Sequence, residues 1–351
     1  MNFDAPVIAA LTTGIVSLIV AVITFLSSRA NQRDVETLKA KLAERKSERD
    51  ARRDYEYEAR KRLYQEYEPL FFHFTESAEI ALGHIQSLAE RGREGNLGLD
   101  GYLSKNSYYL KSTIYKLLVP VATYKLIYSR LTLVDLQVDA RIHFQYFLAK
   151  LLYLTFTQDY KFAHHNPKLD YDPYHLGWHD LRKSNPSVYY RQGFPAGRLD
   201  NALESLTDSS IKGATQLVSF GHFEESLDNI NEEDVKSPLG VARDMFFSFH
   251  PNKRPVLWRI LICQACIYDC VLRVRYESDF GLTKMQQLLE DVCSPTQNRK
   301  PYDWRQTDKE ADDRQVLEVP FQVAKGYLHQ KLREQFTYLP ISNGERAHTA
   351  S

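Results

Sequence analysis

The segment from residue 164 to residue 197 is locally enriched in side chains that can bind a metal: His164, His165, Asp170, Asp172, His175 and His179. Imidazole nitrogen and carboxylate oxygen are the donors that zinc and similar divalent ions take from proteins. We predict a metal site from Asp170, His175 and His179. Prolines recur throughout this segment, so a surface loop that binds no metal explains the same composition.

Three of the four cysteines, Cys263, Cys266 and Cys270, lie three and four residues apart. A helix would place them on one face, and thiolates in such a set can bind zinc or an iron–sulfur cluster. Cluster-binding cysteines usually occupy loops, however, whereas the run from Leu257 to Val274 is continuously apolar. Free cysteine is among the most buried residue types. The pattern therefore favours a core helix, and we predict no cofactor.

An arginine and a histidine stand at the two ends of the segment Arg243-Asp244-Met245-Phe246-Phe247-Ser248-Phe249-His250. This segment resembles the Arg-x(4–6)-His signature of HEPN-type ribonucleases, small helical bundles in which that pair cleaves RNA without metal. In that family a polar residue often follows the arginine, as Asp244 does here. The resemblance implies that Arg243 would orient and neutralise the phosphate. His250 would then handle the 2′-hydroxyl or leaving-group proton.

The alternative for this segment is structural. Arg243 would then be a surface residue and His250 would cap the C-terminal end of a helix that Pro251 terminates. The sequence has no Walker-type phosphate loop, dinucleotide fingerprint, nucleophile elbow, paired-histidine zincin helix or kinase motif set. These absences remove the commonest enzyme classes without deciding whether the chain is an enzyme.

The composition of the 351 residues predicts a mainly α fold. Tyr (22) and Phe (18) are abundant and Gly (15) and Pro (14) are scarce, which favours long helices over short strands. Basic and acidic residues balance at 45 each, so no global field attracts nucleic acid. Few cysteines, crowded together, fit a reducing cytoplasm better than a secreted disulfide framework.

An uncharged apolar run from Val7 to Ser27 predicts a single transmembrane helix. Its length matches the roughly 20 residues that a helix needs to cross a hydrocarbon core of about 30 Å. A signal peptide would begin with basic residues and have a shorter apolar stretch. A buried helix of a soluble core is the other alternative. We assign residues 1–28 to a transmembrane anchor, with membrane lipid as the partner of residues 7–27.

The charges that flank this run predict its orientation. Basic residues follow it, beginning with Arg29, Arg33 and Lys39, whereas only Asp4 precedes it. Positive charge is retained on the cytoplasmic side of a membrane. We therefore expect a single-pass protein with its N-terminus outside and its C-terminal domain in the cytoplasm.

Residues 29–68 read as a charged helical stalk, because good helix formers fill them and no Gly or Pro appears before Pro69. Val35, Leu38 and Leu42 have the heptad spacing of a coiled coil, but arginines replace the apolar residues of the following heptads. Alternating charges three or four residues apart suit a solvated helix. Both a dimerising neck and a simple connector fit this pattern.

The remainder is predicted to be an all-α cytoplasmic domain at residues 69–340 and a disordered tail at 341–351. The most hydrophobic internal stretch is Leu133 to Phe162. Lys150 lies in its middle, which favours a core helix over a second membrane crossing.

These features predict a membrane-tethered helical interaction or signal-sensing module without enzymatic activity. A protein partner or a homo-oligomer is expected. The alternatives are a membrane-anchored, metal-independent ribonuclease, which alone would bind nucleic acid, and an effector that perturbs the membrane.

Overall fold

The computed structural model describes residues 5–98, 101–131, 136, 139–175, 178–208, 216–230, 237–275, 281–294, 297–306 and 317–336. For residues 5–12, 30, 178–179 and 297–299 it describes the backbone alone. Of the residues that the structure describes, 79% are helical and 1% lie in strands, so the predicted mainly α class is confirmed. The predicted tail at 341–351 lies outside the described residues.

Twelve α-helices and one small sheet lie within the described ranges. The helices are α1 (Ala5–Arg93), α2 (Tyr108–Arg130), α3 (Ala140–Thr157), α4 (Asp159–His164), α5 (Trp178–Ser184), α6 (Pro186–Tyr189), α7 (Ala196–Glu204), α8 (Phe220–Asp228), α9 (Pro238–Phe246), α10 (Pro255–Val274), α11 (Leu282–Cys293) and α12 (Val319–Phe336). A 3₁₀ helix runs from Gln297 to Tyr302. The strands β1 (Thr207–Asp208) and β2 (Gln216–Leu217) pair antiparallel, with Thr207 opposite Leu217.

The chain divides into two compact units, Met1–Lys61 and Arg62–Ser351. In the first unit, the side chains of residues 13–29 and 31–49 are all exposed. Ion pairs between residues three or four apart stabilise the charged part of this helix, as the alternating charges predict. Arg52 Nε lies 3.1 Å from Glu56 Oε1, and Arg53 Nη2 lies 3.0 Å from Asp50 Oδ1.

Two of the described helices are long and apolar enough to cross a membrane, judged by length and composition. One is α1 near the N-terminus, where the apolar stretch is fully exposed. The other is α10, whose apolar stretch is mostly buried inside the second unit. The coarser part of the prediction, an apolar N-terminal helix of spanning length, is therefore confirmed.

The second unit has α10 at its centre. This helix packs against α3, α4, α11 and α12, while α2 packs against α3, α7, α8 and α9. Pro255 occupies the first turn of α10, where its fixed φ suits a helix start and no backbone donor is lost. The four cysteines are buried and none forms a disulfide, so the prediction of core cysteines is confirmed.

The part of α1 that belongs to the second unit buries one face from Leu63 onward. Leu63, Tyr67 and Phe74 are almost fully inaccessible to solvent, and their spacing keeps them on one side of the helix. The helix continues through Pro69, so no break separates the segment predicted as stalk from the segment predicted as body.

The stretch from Leu133 to Phe162 forms α3 and α4 over its described part. The side chains of Phe144, Leu148 and Phe156 are completely buried. The prediction of a core position for this stretch is confirmed. Asp139 caps α3, because its Oδ1 accepts hydrogen bonds from the backbone N–H groups of Arg141 and Ile142.

His84 is a buried titratable group at the contact between α1 and α2. Its Nε2 lies 2.7 Å from Thr113 Oγ1, and that hydroxyl donates its own proton to the carbonyl of Tyr109 at 2.7 Å. The histidine must therefore donate from Nε2. Burial, with a smaller contribution from Lys116, lowers the pKa of His84 from 6.5 to about 3.

Acid is expected to destabilise the second unit through His84. In the unfolded chain the pKa of this histidine is 6.5, whereas the folded value is about 3. The stabilisation is fully present above pH 6.5 and is lost as the pH falls from 6.5 towards 3. We expect the free energy of unfolding of the full chain in detergent to fall by up to about 1.4 kcal/mol per pH unit more than that of His84→Gln. Urea titrations at several pH values measure this.

The exposed His222 provides the control. His222→Gln should keep the pH dependence of the unsubstituted chain. Parallel pH profiles for the unsubstituted chain and His84→Gln would contradict the role assigned to His84.

Candidate functional site

The two segments with predicted chemistry meet at the N-terminal end of α10. Gln192, from the proline-rich segment, contacts the first turn of α10, and Tyr190 of the same segment bonds to Asp244 of α9. The proline-rich segment, α9 and α10 are far apart in the sequence, so only the folded body brings them together. The polar side chains there define the candidate site.

Gln192 caps α10 with its side chain. Its Oε1 accepts hydrogen bonds from the backbone N–H groups of Val256 at 2.9 Å and Leu257 at 3.2 Å. Its Nε2 donates to the carbonyl of Ser187 at 2.8 Å. The residue is completely buried. One amide thus satisfies two buried backbone N–H groups and one partly buried carbonyl.

A hydrogen-bonded chain leads from Gln192 to the start of α4. The backbone N–H of Gln192 donates to the Tyr171 hydroxyl at 2.9 Å, and that hydroxyl donates to Asp159 Oδ2 at 2.7 Å. Burial raises the pKa of Tyr171 well above its ordinary value, so the phenol keeps its proton. Gly193 permits the close approach, since a Cβ atom there would lie 2.5 Å from the Cβ of Asp159.

Arg254 closes the C-terminal end of α9. Its guanidinium donates to the carbonyls of Asp244 at 3.2 Å and Phe247 at 2.6 Å, and also to that of Met245. The same guanidinium lies over the ring of Tyr190, 3.8 Å from its centroid. Burial lowers the pKa of Arg254 from its ordinary value. The guanidinium of Arg254 therefore satisfies backbone carbonyls at the C-terminal end of α9.

Asp244 is held by two partners. Its Oδ1 accepts a short hydrogen bond from the Tyr190 hydroxyl, and its Oδ2 lies 3.5 Å from Arg182 Nη1. The guanidinium of Arg182 lies over the Tyr190 ring, 4.5 Å from its centroid. The Tyr190 ring therefore contacts both Arg182 and Arg254. Burial raises the pKa of Tyr190, so this phenol remains a donor at neutral pH.

Arg259 binds backbone carbonyls at the end of α4 and in the chain that follows it. Its guanidinium donates to the carbonyls of Phe162 at 2.8 Å, His165 at 3.3 Å and Pro167 at 2.7 Å. Burial lowers the pKa of Arg259 to about 10, which still leaves it charged at neutral pH. Two buried arginines near the start of α10 thus bind backbone carbonyls of other segments.

The two residues of the predicted ribonuclease pair lie in different parts of the backbone, Arg243 in helix α9 and His250 in the connection that follows it. Arg243 lies in the last turn of α9, half-buried, and its guanidinium makes no hydrogen bond or ion pair with the described residues. His250 lies after the end of that helix, in the connection to α10. Its Nδ1 accepts a hydrogen bond from the backbone N–H of Asn252 at 3.2 Å, and its ring packs edge-on against Trp304. The catalytic role of the pair stays a prediction.

The predicted metal ligands Asp170 and His175 are exposed. His175 Nδ1 lies 3.8 Å from Asp172 Oδ2, a distance typical of a loose surface ion pair. The side chain of His179, the third predicted ligand, lies outside the described residues. Among the side chains that are described, no three His, Cys, Asp or Glu residues converge as metal ligands. Metal binding by this set also stays a prediction.

Sequence reasoning missed the residues on which this end of α10 depends, Gln192, Arg254 and Arg259. The one available signal was that Arg254 and Arg259 lie at the start of an apolar helix, where a buried cation needs a partner.

Comparison with known proteins finds no family, no characterised protein and no solved structure that matches the chain. The polar side chains at this end of α10 bind backbone groups. The buried guanidinium groups of Arg254 and Arg259 and the phenol groups of Tyr171 and Tyr190 already make hydrogen bonds within the protein.

Replacing Gln192 with leucine is expected to destabilise the body strongly. Leucine has a similar volume but leaves the buried N–H groups of Val256 and Leu257 without partners, and it also removes the donor to the partly buried carbonyl of Ser187. Buried backbone groups that lose their partners cost about 1 to 3 kcal/mol each, so we expect a loss of roughly 2 to 4 kcal/mol in the free energy of unfolding. Urea denaturation of the full chain in detergent measures it.

The matched control is Gln286→Leu on α11, where the glutamine is exposed. This change should alter the free energy of unfolding by less than about 0.5 kcal/mol. Equal effects of the two substitutions would show that the buried cap contributes nothing specific.

Proposed function

We propose that the chain is a membrane-tethered helical module that binds a protein partner or senses a cytoplasmic signal without catalysis of its own. The observation that carries the proposal is the exposed apolar stretch of α1. Between Ile15 and Leu26 every residue other than Ser17, Ala21 and Thr24 is Ile, Val, Leu or Phe, and these large side chains are all exposed; for example, Leu18 is 68% exposed and Phe25 64% exposed.

Lipid is the environment that suits such a surface. Each large apolar side chain left in water instead of being buried costs about 1.5 to 3 kcal/mol, and the described part of α1 supplies no partner for these side chains from its own unit. A hydrocarbon core removes this cost, and the helix satisfies its own backbone hydrogen bonds there. Thr24 also satisfies its hydroxyl internally, by donating to the carbonyl of Val20 at 2.8 Å.

The flanking charges support an orientation with the N-terminus outside and the second unit in the cytoplasm. Arg29 and Arg33 follow the apolar stretch directly, and Asp4 precedes it. Transfer of these cations across the membrane is unfavourable, so they stay on the cytoplasmic side, where the chain is synthesised. A module confined to one membrane face meets partners on that face at a raised effective concentration.

A role without catalysis agrees with the use that the body makes of its polar side chains. Arg254, Arg259 and Gln192 each bind backbone groups at helix ends or connections. Groups already engaged in this way would have to break buried hydrogen bonds to act on a substrate. Interaction through helical surfaces needs no such rearrangement.

Fractionation of cells that express the full chain tests the anchor and its orientation together. We expect the full chain to remain in the membrane pellet after alkaline carbonate extraction and a chain lacking residues 1–28 to become soluble. Protease added outside intact cells should leave the second unit uncut, because the membrane shields it. Immunoblots of the pellet, the supernatant and the protease-treated cells measure these outcomes.

A matched pair of substitutions gives the control. Ile19→Asp with Val20→Asp places charge within the apolar stretch and should release the chain, because charge near the bilayer centre costs about 2.5 to 3.5 kcal/mol per residue. Thr37→Asp with Ala40→Asp adds the same charge outside it and should not. Retention of the chain that lacks residues 1–28 would refute the anchor, and digestion of the second unit would refute the orientation.

Labelled RNA separates the non-catalytic role from the ribonuclease that the Arg243–His250 segment resembles. We expect the purified full chain in detergent and its Arg243→Ala, His250→Ala double variant to leave the RNA equally intact. Gel analysis with and without chelator measures this. Cleavage that the double variant loses, and that chelator does not affect, would instead establish the ribonuclease.

A further inference from the structure

One face of the first unit carries exposed apolar side chains at coiled-coil spacing. Val35 is 48% exposed, Leu38 59% and Leu42 61%, and heptad spacing places all three on the same side of α1. Charged and polar residues surround them on this part of the helix. Such a narrow apolar seam is the kind of surface that a second helix covers.

The charges beside this seam suit a second, parallel copy of the same helix. With Val35 and Leu42 at the a position and Leu38 at the d position, Asp34 takes a g position and Lys39 the next e position, and these two positions face each other across a parallel dimer.

The pairing has a defined C-terminal limit. Lys41 and Lys46 would face each other with like charge, and Arg45, Arg49 and Arg52 occupy the following seam positions. Like charges at these positions are repulsive. The complementary charges and apolar layers therefore favour close contact near Val35 and Leu38, and the arginines separate the helices further along.

The same heptad positions, followed back into the apolar stretch, carry only small residues. Continuing the spacing from Leu38 and Val35 through Asn31 reaches Ser28, Thr24, Ala21, Ser17 and Gly14. All other residues from Ile15 to Leu26 are Ile, Val, Leu or Phe. The small residues thus lie in phase with the apolar seam.

Helices pair in lipid through such small faces, because lipid chains are as apolar as leucine and only close backbone approach gives extra packing. At Gly14 an added Cβ atom would meet no other atom within 4 Å, so this position is open on the single chain. The Asn31 amide, on the same face at the end of the stretch, can hydrogen-bond to its copy.

We propose that a second copy of this chain covers this face from Gly14 to Leu42, so that the protein is a parallel dimer in the membrane. The proposal rests on the proposed membrane anchor, which forces parallel orientation because both copies insert in the same direction. The anchor also supplies affinity: the seam outside the membrane is too short for a stable coiled coil in water, and confinement to a bilayer raises the effective concentration.

Cysteine cross-linking of the full chain tests the dimer. Leu38→Cys lies on the face and Ala40→Cys lies on the opposite side, and both positions are exposed on the single chain. Each variant is reconstituted at high dilution in phosphatidylcholine–phosphatidylglycerol vesicles and oxidised. We expect about tenfold more disulfide dimer from Leu38→Cys, because only facing side chains reach disulfide geometry. The unsubstituted chain, whose own cysteines are buried, gives the background.

A second substitution tests continuity of the face into the apolar stretch. Gly14→Leu, added to Leu38→Cys, should reduce dimer yield about tenfold by blocking close approach. Val16→Leu, off the face, should leave the yield unchanged. Equal cross-linking of Leu38→Cys and Ala40→Cys would overturn the dimer, and an undiminished yield with Gly14→Leu would overturn the extension of the paired face into the apolar stretch.

Flotation of the same vesicles distinguishes failure of the dimer from failure of the anchor. A chain that floats with the vesicles but shows no selective cross-linking overturns the dimer and leaves the proposed function intact. A chain that does not float overturns both.

Discussion

The first turn of α10 lies inside the body, where its backbone N–H groups have no access to water. An unsatisfied group there would cost about 1 to 3 kcal/mol, a large share of the stability of a typical domain. Gln192 satisfies two of these groups. Arg254 and Arg259, beside them, bind the carbonyls that end α9 and follow α4. The polarity of one helix end therefore fixes where α4, α9 and the proline-rich segment lie.

Two apolar helices of similar character have opposite surroundings. In α10 nearly every side chain is covered by the body's own helices, whereas the apolar part of α1 is bare. Burial of α10 is possible because α3, α11 and α12 pack around it. The membrane anchor that we propose for α1 rests on the same physical effect, since hydrocarbon would remove its apolar surface from water as a protein core does.

The arrangement of side chains around the exposed helix adds information that its hydrophobicity does not carry. Lipid alone would accept large side chains on every face, yet the face that runs through Gly14, Ala21 and Thr24 is small. The same face becomes aliphatic at Val35 and Leu38, beyond the stretch that we propose to lie in lipid. Small residues favour helix contact in hydrocarbon and aliphatic residues favour it in water, so one seam suits a single partner helix in both environments.

Local patterns were sufficient to predict the helical class, the apolar N-terminal helix, the core position of Cys263, Cys266 and Cys270, and the burial of α3, because periodicity and composition act over a few neighbouring residues. The candidate site could not be predicted in this way. Gln192 and Arg259 look like ordinary surface residues in the sequence, and their role depends on backbone groups far along the chain. Helix ends acquire distant partners only when the helices pack, so the tertiary structure alone assigned them.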